Sequence, residues 1–186
     1  TGLRLSRKDF RPVRPVMKQL LSIGLPIAFQ DGLIQIAFII ITIIANQRGL
    51  TDSAAVGIVE KLISFLFLVP SSMLSTVSAL GAQNIGAGKP ERAKKTLGYA
   101  VMITVCFGLI IAALIQLIAE PVVGLFTADA AVIVLGTQYI RGYIWDCIFA
   151  GIHFSFSGYF CAIGRSELSF IHNITAIVLV LSLIHI

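Results

Sequence analysis

Apolar positions in this chain come in long blocks, at 20–45, 55–82, 96–119, 132–163 and 168–186, separated by short segments where charge, glycine and proline collect. Each block approaches or exceeds the roughly 20 residues that a helix needs to cross about 30 Å of hydrocarbon at about 1.5 Å per residue. The pattern predicts an all-α integral membrane protein, a polytopic bundle with about five transmembrane helices. A barrel is excluded, because its strands would be about ten residues long and would alternate in polarity. The first block is too long for a signal peptide, and no small-residue cleavage site follows it.

The polar breaks are as informative as the blocks. Between the second and third spans the chain reads Gly81-Ala82-Gln83-Asn84-Ile85-Gly86-Ala87-Gly88-Lys89-Pro90-Glu91-Arg92-Ala93-Lys94-Lys95. Gly86 and Gly88 suit the left-handed geometry that ends a helix, and Pro90 suits the first turn of the next. Glu91 then stands near that helix's positive end. The segment therefore predicts a helix exit followed at once by re-entry.

Basic residues mark alternate breaks. Arg4, Arg7, Lys8, Arg11, Arg14 and Lys18 precede the first span, and Lys89, Arg92, Lys94 and Lys95 follow the second. Arg165 follows the fourth, whereas the opposite turns offer Arg48 with Asp52, then Glu120 and Asp129. The positive-inside rule then places the N-terminal end in the cytoplasm of a multi-pass plasma-membrane protein. Residues 1–18, with Pro12 and Pro15, read as a basic inter-lobe linker, and 19–186 as an incomplete transmembrane lobe. The chain starts at Thr1 and stops inside an apolar block, so both ends read as cuts, and the last four residues read as non-native, because His185 falls where the apolar centre of a helix is expected.

Composition agrees with the blocks. Of 186 residues, 57% are hydrophobic and only 12% charged, with a mean hydropathy of +0.94; soluble domains average about 25% charged residues. The net charge of +5 belongs to the membrane-flanking turns, so membrane lipid and not nucleic acid is the expected partner. Cys106, Cys147 and Cys161 lie in apolar blocks without a paired spacing and read as packing residues. No nucleotide loop, hydrolase elbow or metal motif occurs, so the expectation is a non-enzyme without a cofactor or metal site. Active transport would have to draw on Na⁺ or H⁺.

Ionisable groups inside apolar spans are functional candidates, because a charge at the centre of a span costs about 2.5 to 3.5 kcal/mol. Asp31, flanked by Gln30 and Gln35, follows Pro26 in the first block. It reads either as an ion-coupling carboxylate beside a helix break or as a neutral acid held by a neighbouring helix. Asp146 reads as a second coupling candidate or as an interfacial acid near Tyr143 and Trp145, paired with Arg141. Glu60 and Lys61 read as snorkelling or interhelical groups. Pro70 predicts a break in the second span, whose Ser64, Ser71, Ser72, Ser75, Thr76 and Ser78 read as packing hydroxyls ahead of cavity-lining ones. Phe149, Phe154, Phe156 and Phe160 offer aromatic surface, and His153 and His172 read as hydrogen-bonded helix residues.

The run from Gln83 to Ala93 resembles the second-helix exit of multidrug and toxic compound extrusion (MATE) transporters. The Gly24-Leu25-Pro26 entry and the fourth span near Gly158 and Gly164 are similar to the same family's C-terminal half. The resemblance implies helices seven to eleven of twelve, within two six-helix lobes around a central cavity. It also implies export of organic cations or drugs against inward Na⁺ or H⁺, with the missing N-terminal lobe as partner. Where Na⁺-site members carry a Glu and an Asp, this chain has Ile34 and Ala150, with Asp31 and Asp146 about one turn earlier. A lipid-linked oligosaccharide flippase of the same superfamily and a non-transporting membrane scaffold are the alternatives.

Overall fold

The computed structural model describes residues 13–172, 174 and 175, except for the side chains of Gln19, Ile23, Gln30 and Asp31. Most of the basic linker and most of the fifth span lie outside the described residues. Helix α1 runs Arg14–Arg48, α2 Leu50–Leu66, α3 Leu68–Gly86, α4 Pro90–Gly124, α5 Ala130–Tyr143 and α6 Asp146–Ala162. Residues 166–172 are helical again, and no strand occurs among the described residues. Among the described residues, three stretches are long and apolar enough to cross a membrane: Arg14–Arg48, Leu50–Gly86 and Pro90–Gly124. The chain is an all-α helical membrane bundle.

The turn read from Gly88 forms as its residues dictate. Gly88 takes φ +71°, its N–H donates to the Ile85 carbonyl at 2.9 Å, and the Lys89 N–H donates to the Asn84 carbonyl at 2.8 Å. This is the paired closure that caps a helix C-terminus with a left-handed residue. Gly86 is the last helical residue of α3, and Pro90 opens α4 with Glu91 in its first turn. Gly164 repeats the closure after α6, with φ +73° and N–H bonds from Gly164 to Cys161 and from Arg165 to Phe160.

The break expected at Pro70 is present and falls three residues earlier, at Phe67, between α2 and α3. Proline lacks an N–H and its ring crowds the carbonyl four residues back, at Leu66, so the ladder gives way there. The break expected at Pro26 is absent, since α1 continues through it for 35 residues. The Ser166 hydroxyl donates at 3.0 Å to the Ser22 carbonyl, the group to which position 26 would otherwise donate. A hydroxyl from a neighbouring segment is a standard way for an apolar helix to tolerate proline.

The fourth block, read as one passage over 132–163, is two helices. Residues 144 and 145 form a turn between α5 and α6, and the Asp129 carboxylate caps α5 by accepting from the Ala131 N–H at 2.9 Å.

Small residues bring the helices together. A Cβ at Gly158 would stand 2.5 Å from the Leu74 carbonyl oxygen, one at Gly151 2.6 Å from the Thr104 Cβ, and one at Gly81 2.7 Å from the Ala162 Cβ. Helix α6 therefore lies against α3 on one side and α4 on the other with nearly backbone-limited contact, as small residues allow in membrane bundles. Beside it, Val59, Ile63, Ile115, Val123, Ile140 and Ile144 form a core joining α2, α4 and α5. Cys147 belongs to this core, and Cys161 is buried too, in keeping with their packing role. Cys106 is exposed.

Of the second-span residues read as packing hydroxyls, Ser78 packs against α6 and the others do not. Ser64, Ser71, Ser72, Ser75 and Thr76 are exposed. The serines donate back to carbonyls three or four residues earlier, so they satisfy themselves within the helix. The intimate contact with α6 is made by Val77, Ser78 and Gly81.

Candidate functional site

The two helix breaks, at Phe67 and at residues 144 and 145, meet at a cavity of about 810 Å³. Its wall takes Ile34 and Phe38 from α1, Ile63 and Ser64 from α2, and Phe67 from the first break. Tyr143 and Asp146 come from the second break, and Phe149, His153 and Phe154 from α6. His172 approaches from the segment that follows. Such a volume suits a small organic ligand, and the wall is mostly aromatic and aliphatic with a few polar groups, as ligand pockets are.

Asp146 stands where it does because α5 stops short. At 14 and 17 residues, α5 and α6 place it at the junction of helices of about 21 and 25 Å. Tyr143, three residues earlier, stands beside it in the wall. Tyr143 also packs against Phe67 and Tyr139, each with ring centroids 6.0 Å away. Tyr143 and Asp146 both line the cavity, and Trp145 is exposed beside it.

The expected Arg141–Asp146 pair does not form. The ion pairs among the described residues are Lys94–Glu91 at 2.8 Å and Arg165–Glu167 at 4.0 Å. Five residues separate Arg141 from Asp146, about 140° round a helix, and the turn at 144 and 145 lies between them. The Arg141 carbonyl instead accepts from Gln116 Nε2 of α4 at 2.9 Å.

Of the other coupling candidates, Gln35 is exposed on α1 and outside the cavity wall, although its neighbour Ile34 is in it. The side chains of Gln30 and Asp31 lie outside the described residues. Glu60 makes an interhelical contact, accepting from Thr42 Oγ1 of α1 at 3.2 Å, while Lys61 is exposed. This matches the modest reading given to that pair of charges.

The feature that sequence reasoning missed is the relation of the two histidines. His153 and His172 stack, with ring centroids 4.7 Å apart and ring planes 18° from parallel. They are nineteen positions apart, and the Gly164 turn folds the chain back so that the rings meet. The turn signal at Gly164 and the polarity of both residues were the cues. Among the described residues no cluster of three or more metal-ligating side chains occurs.

The MatE family model matches residues 26–186. Over 145 residues the chain is 21% identical to the probable multidrug resistance protein YoeA of Bacillus subtilis, covering 78% of the chain and 31% of that protein. It is 25% identical over 170 residues to the multidrug export protein MepA of Staphylococcus haemolyticus, covering 89% of the chain and 36% of that protein. It is also 26% identical over 175 residues to an FAD transporter of Shewanella oneidensis, covering 93% and 38% respectively. The chain thus spans about a third of the length of the curated relatives it matches. No solved structure matches it.

Proposed function

We propose, from the premise that this chain belongs to the MatE family, that the full-length gene product is a secondary multidrug exporter. It moves organic cations or drugs across the plasma membrane against Na⁺ or H⁺, and this chain supplies most of one lobe, with its N-terminal side cytoplasmic. The observation that carries the reading is the wall of the 810 Å³ cavity, to which an accessible Asp146 and several aromatic rings contribute. A cation over an aromatic face is attracted by the ring quadrupole, and the carboxylate in the same wall adds a charge that binds either substrate or coupling ion. Neither Lys nor Arg lines the cavity among the described residues, so little there repels a cation.

A second reading, transport of an anion such as a lipid-linked sugar, draws support from the FAD transporter among the relatives. It requires basic groups at the wall, and the lining disfavours it. Efflux of ethidium from cells producing the full-length protein tests the proposal. Collapse of the ion gradients, and separately Asp146→Asn at equal expression, should each reduce efflux to the vector background. Efflux unaltered by both would contradict it.

A further inference from the structure

We propose that the groove along the start of α1 is a binding site for one anionic glycerophospholipid, whose phosphate is held by Arg14 and Lys18 while an acyl chain lies along Met17, Leu21 and Leu25. The groove has a volume of about 660 Å³ and is lined by Arg14, Met17, Lys18, Leu21, Ser22 and Leu25. It shares no lining residue with the cavity between the two helix breaks. Its residues follow one another at helical spacing, so they form one stripe of α1. Charge stands at one end of the stripe and hydrocarbon at the other, the order in which a phospholipid presents its own parts. Arg14 and Lys18 lie about 6 Å apart along the axis, and Lys18 and Leu25 about 10 Å. Both cations can therefore reach one phosphodiester while its chain passes Leu21 and Leu25.

The charges favour this occupant. Neither Arg14 nor Lys18 enters an ion pair among the described residues, and no acidic residue stands in the first turn of α1. A guanidinium offers a phosphate two parallel N–H bonds, and an ammonium adds a compact charge beside it. A zwitterionic headgroup would bring a cation of its own to the same place, so the groove selects a lipid with net negative charge. The apolar end is prepared as well. Pro26 leaves the Ser22 carbonyl without its helical donor, a bare polar group where the chain would lie, and Ser166 Oγ satisfies it at 3.0 Å. The same bond sets Arg165, the residue before Ser166, at this end of the bundle. Leu21 and Leu25 are 56% and 54% exposed, so a chain has access to both. Protein occupants match less well. Residues 1–12 carry four basic side chains and one acidic, and a two-fold copy of the chain would set like charges against each other.

Two photoactivatable lipids test the proposal on the full-length protein in phosphatidylcholine vesicles. Each carries a diazirine on its acyl chain, one under a phosphatidylglycerol headgroup and one under a phosphatidylcholine headgroup. Adducts at Leu21 and Leu25 should form at least about fivefold more with the phosphatidylglycerol probe. Arg14→Gln with Lys18→Gln should bring that ratio close to one. Lys89→Gln with Arg92→Gln, which removes as much charge from the α3–α4 turn, should change it by less than about twofold. Should the first pair of substitutions disturb insertion, Leu21→Trp keeps both cations, fills the apolar half of the groove and should lower phosphatidylglycerol adducts at Leu25 several-fold. Excess inorganic phosphate should not compete, because it has no chain to lie along the helix. Equal labelling by the two probes would overturn the proposal, as would adducts unaltered in Leu21→Trp. An equal response to both pairs of charge substitutions would mean a diffuse surface potential without a built site, and competition by inorganic phosphate would make the ligand a free anion; either result would overturn it. Leu21 and Leu25 left unlabelled by both probes would mean that protein covers the groove, and would overturn it too.

Discussion

Ser166 Oγ donates to the Ser22 carbonyl at 3.0 Å, across 144 positions of sequence, and thereby fills the place that Pro26 cannot fill in the ladder of α1. Ser166 is buried, with 1% of its surface exposed. The bond ties α1 to the turn after α6, so the helix entry and the Gly164 closure are one structural unit.

Ser166→Ala should cost about 0.6 kcal/mol, and no more than about 1.7, the range for hydrogen bonds between membrane helices. Pro26→Ala restores an N–H four residues beyond Ser22, so in that background the cost of Ser166→Ala should shrink towards zero. Denaturant unfolding in mixed micelles, arranged as a double-mutant cycle, reads the coupling. Additive effects of the two substitutions would refute the linkage.

Gly158 and Gly142 should respond oppositely to the same methyl group. At Gly158 the added Cβ meets the Leu74 carbonyl oxygen at 2.5 Å, and backbone cannot yield cheaply. Gly158→Ala should therefore destabilise the bundle by about 2 kcal/mol or more. At Gly142 nothing stands within 4 Å, so Gly142→Ala should be neutral or gain up to about 1 kcal/mol from helix propensity. Thermal unfolding of the two variants side by side checks the contrast.

The turn glycines divide in the same way. Gly88 has φ +71° whereas Gly86 is helical with open space around it. Gly88→Ala should cost about 1 kcal/mol or slightly more and loosen the α3–α4 turn. Gly86→Ala should leave stability unchanged or slightly raised, and amide exchange at Lys89 reports the difference.

Acid should release the first turn of α4. The hydrogen bond from Lys94 to Glu91 is the main influence that holds the Glu91 carboxyl below its ordinary value of 4.5, and the charge of Lys94 is the next. A depressed folded-state value means that the contribution is present above the unfolded value and is lost as pH falls through the folded one. Lys94 shifts the opposite way, upward from 10.5, so its share is lost only as pH rises through that raised value. Both side chains are well exposed, so the stability at stake is small. Carboxyl NMR titration should show Glu91 returning to its ordinary range in Lys94→Gln; no movement would refute the pairing.

Much of the fold was legible because membrane spans announce themselves by length. The Gly88 turn and the Pro70 break were readable from backbone chemistry, which acts within a few residues. Pro26 misled because its rescue comes from Ser166, which no local pattern connects to it. The split between α5 and α6 went unread because Tyr143, Ile144 and Trp145 are neither glycine nor proline, so the turn they form carries no local signal. The site was half legible. The cost of burying a charge singled out Asp146, but its place beside Phe67 and Tyr143 depends on two breaks meeting in space. His153 and His172 carry meaning only as a pair, and the pair exists only in three dimensions. The small positions at 151, 155, 158 and 162 do recur every three or four residues and mark the buried seam of α6.

Photoaffinity labelling of the full-length protein with an azido derivative of tetraphenylphosphonium tests the central claim that the cavity between the two helix breaks is where substrate sits. Labels should fall on Phe149, Phe154 and neighbouring wall positions, and unlabelled tetraphenylphosphonium should compete them away. Labels confined to the exposed apolar face of α1, at Leu20, Leu25 and Phe29, with none on α6, would contradict it.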